Sequence, residues 1–215
     1  MPNSKCFYHV QHTGKPWGDY GNTLIAGWAL RQGVDSHSRL FDREAPLELE
    51  RTGPFAPEIT LTGMASIVVT DNCKLKMSGV SPSLEFRPVL KKLVVMSDWH
   101  NWDWNADKPQ AYPDEGEPEN YVMGQPHSED AAAQMGPMWE LCIDKGAWLD
   151  FDVQRTPWIS AKRIHLDSWN GQDVFWAEKD DTSQGQWIIV TEAGKHFLQA
   201  YDKHEFLEFI PCLMK

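Results

Sequence analysis

The stretch SDWHNWDWNADKPQAY (97–112) gathers the residue types most able to do chemistry. Asp98, His100, Asp103 and Asp107 offer carboxylates and an imidazole, a set that suits a divalent ion and so a metal-dependent hydrolase. Against that stands the pattern around them: no HExxH, no EF-hand loop and no second ligand cluster accompanies the four. Trp99, Trp102 and Trp104 alternate with polar residues. Such tryptophans either anchor a loop to the protein body or form a contact surface for a partner, and both readings fit better than a metal site.

The rest of the chain holds no stronger catalytic signal. Its eight histidines are dispersed, and no serine stands in a GxSxG elbow. Cys6, Cys73, Cys142 and Cys212 lie far apart without a CxxC pair and are expected to be reduced core residues. Neither GxGxxG nor GxxxxGK[ST] occurs, so nucleotide binding has no support. The expectation is no catalytic residue, no metal and no cofactor. No apolar run of membrane-spanning length and no secretory signal is present, which predicts a cytoplasmic protein that spans no membrane.

Charge sharpens the picture. The net charge is −11, and residues 98–140 carry 10 acidic side chains against 1 basic. Such a field repels nucleic acid and attracts a basic protein. The same region contains Pro109, Pro113, Pro118, Pro126 and Pro137 and little periodicity, so residues 98–137 are expected to be a long inserted loop, with a short helix at SEDAAAQM. Its aromatic residues argue against full disorder.

The elements that must hold this segment announce themselves by repetition. IVVTDNCKLKMSGVSPSLEFRPVL (67–90) is echoed by IIVTEAGKHFLQAYDKHEFLEFIPCL (188–213). With one two-residue gap the identical pairs are Ile67/Ile188, Val69/Val190, Thr70/Thr191, Lys74/Lys195, Leu84/Leu207, Glu85/Glu208, Phe86/Phe209, Pro88/Pro211 and Leu90/Leu213. Each copy predicts a buried strand, a helix capped by threonine (or by Asp71 in the first copy) and a second strand. The prolines place the second strands at an edge or bulge, and Gly79 is expected to end the first helix in the left-handed conformation. In the second helix Ala193, Phe197, Leu198 and Tyr201 are expected to share one face.

Further strands are expected at CFYHV, LELERTG, ITLTG, LVVM and WELCI, with a hairpin of RIHL and DVFWA around Asn170-Gly171. Residues 13–23 are expected to be loop, and Trp139, Trp176 and Trp187 to be core. The fold expected is α+β, with mixed β-sheets, few helices and the two strand–helix–strand units, at about 66–90 and 187–213, in one sheet. A single domain is expected over 1–215: a β-rich half (1–97), the acidic insertion (98–137) and a C-terminal half (138–215).

The order of these motifs resembles the bacterial immunity proteins of the immunity-eleven family, which guard cells against polymorphic toxins. The likeness is carried by Ile188–Glu192, Lys195, Phe197, Leu198, Phe206–Phe209 and Pro211, with the first copy as the mid-chain counterpart. Thr191 stands where the family has serine, and much of 98–137 has no counterpart. The resemblance implies a non-enzymatic protein that neutralises a cognate secreted toxin by occluding its active site or substrate access. On that reading the partner is a basic toxin such as a nuclease. The contact surface would use Trp99, Trp102 and Trp104 as anchors and Asp103, Asp107, Asp114, Glu115, Glu117 and Glu119 as a charged rim. The alternatives are the metal-dependent hydrolase above and a non-enzymatic scaffold or sensor module.

Overall fold

The computed structural model describes residues 6–15, 17–32, 45–62, 66–97, 119–151, 162–179 and 186–215. In chain order the strands are β1 (Phe7–His12), β2 (Trp28–Arg31), β3 (Leu47–Thr52), β4 (Ile59–Leu61), β5 (Ile67–Thr70), β6 (Phe86–Pro88), β7 (Leu90–Val95), β8 (Met138–Leu141), β9 (Lys145–Phe151), β10 (Lys162–Ile164), β11 (Val174–Lys179), β12 (Gln186–Thr191), β13 (Leu207–Pro211) and β14 (Leu213–Met214). The helices are α1 (Asp19–Ala26), α2 (Asp71–Val80), α3 (Glu119–Val122), α4 (Glu129–Met135) and α5 (Glu192–Gln199). Mixed sheets with short helices make this an α+β fold.

The chain divides into two compact units, His12–Cys142, and Met1–Gln11 with Ile143–Lys215. The first contains a three-stranded sheet, β2-β3-β7, and a four-stranded sheet, β4-β5-β8-β6. Both sheets and α4 contribute to one core: Ala29, Leu47 and Leu49 with Val68, Met138, Ala131 and Met135. In β3 the alternation read from the sequence is observed, with Leu47 and Leu49 buried and Glu48 and Glu50 half-buried. The second unit is built on one seven-stranded sheet, β13-β1-β12-β11-β9-β10-β14. The two ends of that order, β13 and β14, are separated only by Cys212. The C-terminal strand therefore pairs with β1 on one side and β10 on the other, and the sheet nearly closes into a barrel around Phe7, Leu149, Ile164, Phe175 and Ile189.

Local signals are well kept. Thr70 caps α2, its hydroxyl accepting from the Cys73 N–H at 3.4 Å, and Thr191 caps α5 by accepting from Gly194 N–H at 3.3 Å. Ser128 caps α4 in the same way. Pro88 and Pro211 lie on β6 and β13, both at sheet edges, where a missing N–H costs no ladder bond. Removing a capping hydroxyl costs about 0.5–2 kcal/mol. Thr70→Ala and Thr191→Ala should each lower the urea midpoint by that measure, while Thr→Ser at either site should be nearly silent.

Several expectations are corrected. The two copies do not share a sheet: β5 and β6 belong to the first unit, and β12 and β13 to the second. Gly79 is inside α2, which runs on to Val80 and is capped by Ser81, with the Ser81 N–H bonded to the Met77 carbonyl. Pro82, not the glycine, stops the helix. RIHL and DVFWA do not form a hairpin, because β9 lies between β10 and β11. The Leu166–Ser168 3-10 turn carries the chain across, and the Asn170 side chain donates to the Lys145 carbonyl and accepts from the Gln172 N–H, an Asx turn that joins no hairpin. Residues 19–23 are helical, since α1 buries Leu24, Ile25 and Ala26. In α5 the buried residues are Gly194 and Leu198, with Ala193 exposed and Phe197 half-buried, and Tyr201 is buried in the turn that follows the helix. All four cysteines are free, but Cys6 is exposed and only Cys73 is fully buried. Trp139, Trp176 and Trp187 are half-buried, each with a lysine amine near its ring.

Candidate functional site

The tempting ligands and anchors, Asp98, Trp99, His100, Trp102, Asp103, Trp104, Asp107, Asp114, Glu115 and Glu117, lie outside the described residues; Glu119 is the first residue of α3. The two ends of this segment can be placed. Val95, at the end of β7, and Val122, in α3, pack with Leu24 in one apolar cluster bordered by Trp17, Leu93 and Tyr121. The described residues that flank the acidic, tryptophan-rich stretch thus meet in one apolar cluster of the first unit. Among the described residues no group of three or more His, Cys, Asp or Glu side chains is close enough to hold a metal ion.

The repeated units turn out to be larger than their sequence echo. In each, a strand from elsewhere in the chain fills the gap left by the helical crossover: β8 between β5 and β6, and β1 between β12 and β13. The registers match. Val69 faces Trp139 and Val190 faces Tyr8. The Val89 N–H bonds the Met138 carbonyl at 2.9 Å, and the Cys212 N–H bonds the Phe7 carbonyl at 2.8 Å. On the outer side, β4 matches β11: the Thr70 N–H bonds the Glu58 carbonyl, and the Thr191 N–H bonds that of Asp173.

Side chains repeat as well. Asp71, the first residue of α2, accepts a 2.8 Å hydrogen bond from the Trp139 indole, and the Lys74 amine stands 3.0 Å from the centre of that ring. In the other unit Glu192, at the same place in α5, accepts a short hydrogen bond from the Tyr8 hydroxyl, and Lys195 stands 4.2 Å from the Tyr8 ring. That bond holds the Glu192 carboxyl below its usual range and pushes the Tyr8 phenol up to about 12. The acid sits at the positive end of the helix while the lysine covers the aromatic face, so each clip fastens a helix to its middle strand. Every group in it is engaged, which marks it as architecture.

Two polar regions of the second unit are less easily assigned to architecture. The first is the outer side of β9, β10 and β11. Lys145 pairs with Glu178 and lies 3.0 Å from the centre of the Trp148 ring and 5.8 Å from that of Trp176. Asp150 binds His165 at 2.7 Å and Lys215 at 3.3 Å, and the hydrogen bond from His165 holds its carboxyl below the ordinary value. The Ser168 hydroxyl donates to the His165 carbonyl and accepts from the Trp148 N–H, so it is not placed to be activated by the imidazole. Leu166, Leu213 and Met214 are exposed beside this pair. Half-buried tryptophans, exposed apolar side chains and paired charges are the makings of a contact surface.

The second region is inside the barrel. Phe7 and Ile164 belong to the barrel core, and His9 on β1 and Lys162 on β10 each lie two residues away on the same strand face. Phe151 and Trp187 meet edge to face at 5.0 Å, with the Lys162 amine 5.7 Å from the Trp187 ring. Burial, aided by the Lys162 charge, lowers His9 to about 3, and burial lifts the Cys212 thiol to about 11. In the first unit, burial lowers His12 to about 4. Both imidazoles are therefore neutral in the folded protein at pH values where an unfolded histidine, near 6.5, takes up a proton. The unfolded state binds more protons, so stability is complete above about pH 6.5 and falls with acidification, by about 1.4 kcal/mol per pH unit for each group, down to its folded value. Chemical denaturation at pH 7 and pH 5 should show the loss, and His9→Leu should flatten the slope.

The sequence reading missed these groups for a simple reason. A lysine or histidine in a short strand looks like a solvent-facing residue until the closure of the sheet is known. The two-residue spacing of His9 from Phe7, and of Lys162 from Ile164, which puts each pair on one strand face, was the available signal. No family model matches the chain, and neither a curated protein nor a solved structure matches it significantly. No helix among the described residues is long and apolar enough to cross a membrane.

Proposed function

We propose that the protein is an immunity protein: a non-enzymatic binder that neutralises a cognate secreted bacterial toxin by covering its active site or blocking its substrate. The observation that carries this reading is the acidic, tryptophan-rich segment strung between Val95 and Val122, whose two ends share one apolar cluster. A segment held at one place on a sheet-built body can present aromatic anchors within a negative field. That combination suits a basic toxin, nucleases included, through shape and charge. The likeness of the two strand–helix–strand motifs to the immunity-eleven family supports the same conclusion. The reading puts the protein in the cytoplasm and gives it no cofactor, metal, nucleic acid or membrane partner. It places the contact at Trp99, Trp102, Trp104, Asp103, Asp107, Asp114, Glu115, Glu117 and Glu119.

The test is co-expression with the product of the adjacent gene, followed by co-purification and a growth-protection assay. Binding should be tight, with an association rate that falls as salt rises. Trp102→Ala together with Trp104→Ala should weaken the complex by about tenfold or more. Reversing Asp114, Glu115 and Glu117 to lysine should slow association more than it speeds dissociation. Unchanged binding and protection in both variants would remove the segment from the interface. Stoichiometric zinc or manganese lost on His100→Ala would turn the reading toward the hydrolase.

A further inference from the structure

The internal repeat reaches well beyond its sequence echo. β7 pairs parallel with β3, which pairs antiparallel with β2; β14 pairs parallel with β10, which pairs antiparallel with β9. The registers coincide when Leu90 is laid on Leu213. Glu48, opposite Leu90, then answers to Arg163, opposite Leu213, and the Leu49–Ala29 pair answers to Ile164–Leu149. Ile59, Thr60 and Leu61 of β4 answer in the same way to Val174, Phe175 and Trp176 of β11. In chain order, β1–β7 with α2 and β8–β14 with α5 are one succession of elements used twice. Two features depart from the match: α1 is inserted between β1 and β2, and β11 also pairs with β9, a ladder that the described β4 and β2 do not form.

The leading strands are equivalent too, and each sits in the other succession's sheet. Aligned by their partners, Phe7, Tyr8 and Val10 of β1 match Met138, Trp139 and Leu141 of β8. Phe7, Val10, Met138 and Leu141 are all buried in their own unit. Yet β1, which opens the first succession, lies between β12 and β13, and β8, which opens the second, lies between β5 and β6. The chain has exchanged its two leading strands with itself. Each gap is thus filled through ladder bonds and apolar side chains that do not depend on which succession supplies the strand.

The connection after β1 suits a strand that changes partners. Residues 13–18 join β1 to α1, and Trp17 has a φ of 62°, a left-handed conformation that bulky residues seldom adopt. Gly14 and Gly18 flank it at 72° and 64°, and the Gly18 N–H closes the turn on the Gly14 carbonyl. Short hinges under strain favour strand exchange, because opening them relieves the strain.

We propose that the gap between β12 and β13 accepts the β1 strand of a second copy of this chain, so that two copies exchange β1 reciprocally and form a dimer. Every ladder bond and apolar contact of β1 is the same in either arrangement, so the balance rests on the hinge and on concentration. A short linker holds its own strand at an effective concentration on the order of millimolar, so the monomer prevails in dilute solution. The dimer prevails once the hinge is too short to turn back. The inference is independent of the toxin-binding reading.

Deleting Gly14 and Lys15 from the 215-residue chain tests it by light scattering coupled to size exclusion. At about 10 µM the deletion variant should be mainly dimer and the parent mainly monomer. In the deletion background, chains carrying Tyr8→Cys mixed with chains carrying Val190→Cys should form an interchain disulfide, because positions 8 and 190 face each other across the β1–β12 ladder. If the deletion prevents folding, refolding the parent from urea decides: its dimer fraction should rise by about tenfold or more between micromolar and millimolar protein. A deletion variant that folds as a monomer, a dimer without the 8–190 link, or parent refolding that gives no dimer at either concentration would each overturn the proposal.

Discussion

Glu140→Ala should destabilise the protein by about 3–5 kcal/mol, the cost of leaving one member of a buried ion pair unpaired. Glu140 on β8 and Arg31 at the end of β2 are 3% and 4% exposed and form a two-pronged salt bridge, one prong 2.6 Å long. Arg31 also donates to the Ser66 hydroxyl and the Ala45 carbonyl, so its guanidinium is held in a fully polar seat. Removing the carboxylate leaves a desolvated cation between two sheets of the same unit. Domains of this kind hold about 5–15 kcal/mol in all, so the variant should sit near its unfolding midpoint under mild conditions. Replacing both partners, Arg31→Met with Glu140→Leu, should recover most of the loss, because an apolar pair avoids desolvation altogether. Urea titration of the two single variants and the double variant measures this directly. A cost below about 1 kcal/mol for Glu140→Ala would mean that the pair behaves as a surface one.

Gly194→Ala should cost about 1–3 kcal/mol or more, although alanine is the better helix former. A Cβ at this position would lie 2.0 Å from the Asp173 carbonyl oxygen and 3.2 Å from a Val174 methyl. The obstacle is backbone, so no side-chain rotation relieves it. The first turn of α5 must lift from β11, which strains the Thr191 N–H bond to Asp173 at 3.0 Å and the Thr191 hydroxyl bond to the same residue. The matching position in the first unit is Cys73, fully buried in α2. The two repeats therefore seat their helices at different depths, and exchanging these residues is not neutral. Loss of α5 protection in amide exchange, without loss in β9 or β10, would locate the effect. A Gly194→Ala protein as stable as the parent would show that the helix can rise without penalty.

What the sequence determined by itself was local. β-branched runs gave strands, and Thr70 and Thr191 gave helix starts, because a cap is a contact within three residues. Pro88 and Pro211 marked edges, because a missing donor is excluded from a sheet interior regardless of partners. The echo at 67–90 and 188–213 was legible for the same reason: it repeats a cap, a helix and a proline-bearing strand whose rules are local. The tertiary structure decided which strand fills each repeat. Trp139 follows its unit in the chain and Tyr8 lies far before the other, yet both take the same register beside Val69 and Val190. Strand pairing is made by backbone groups that every residue carries, so no letter announces a distant partner. The same holds for Arg31 with Glu140 and for Lys162: a charge in a short strand is ambiguous until closure of the sheets decides whether water reaches it.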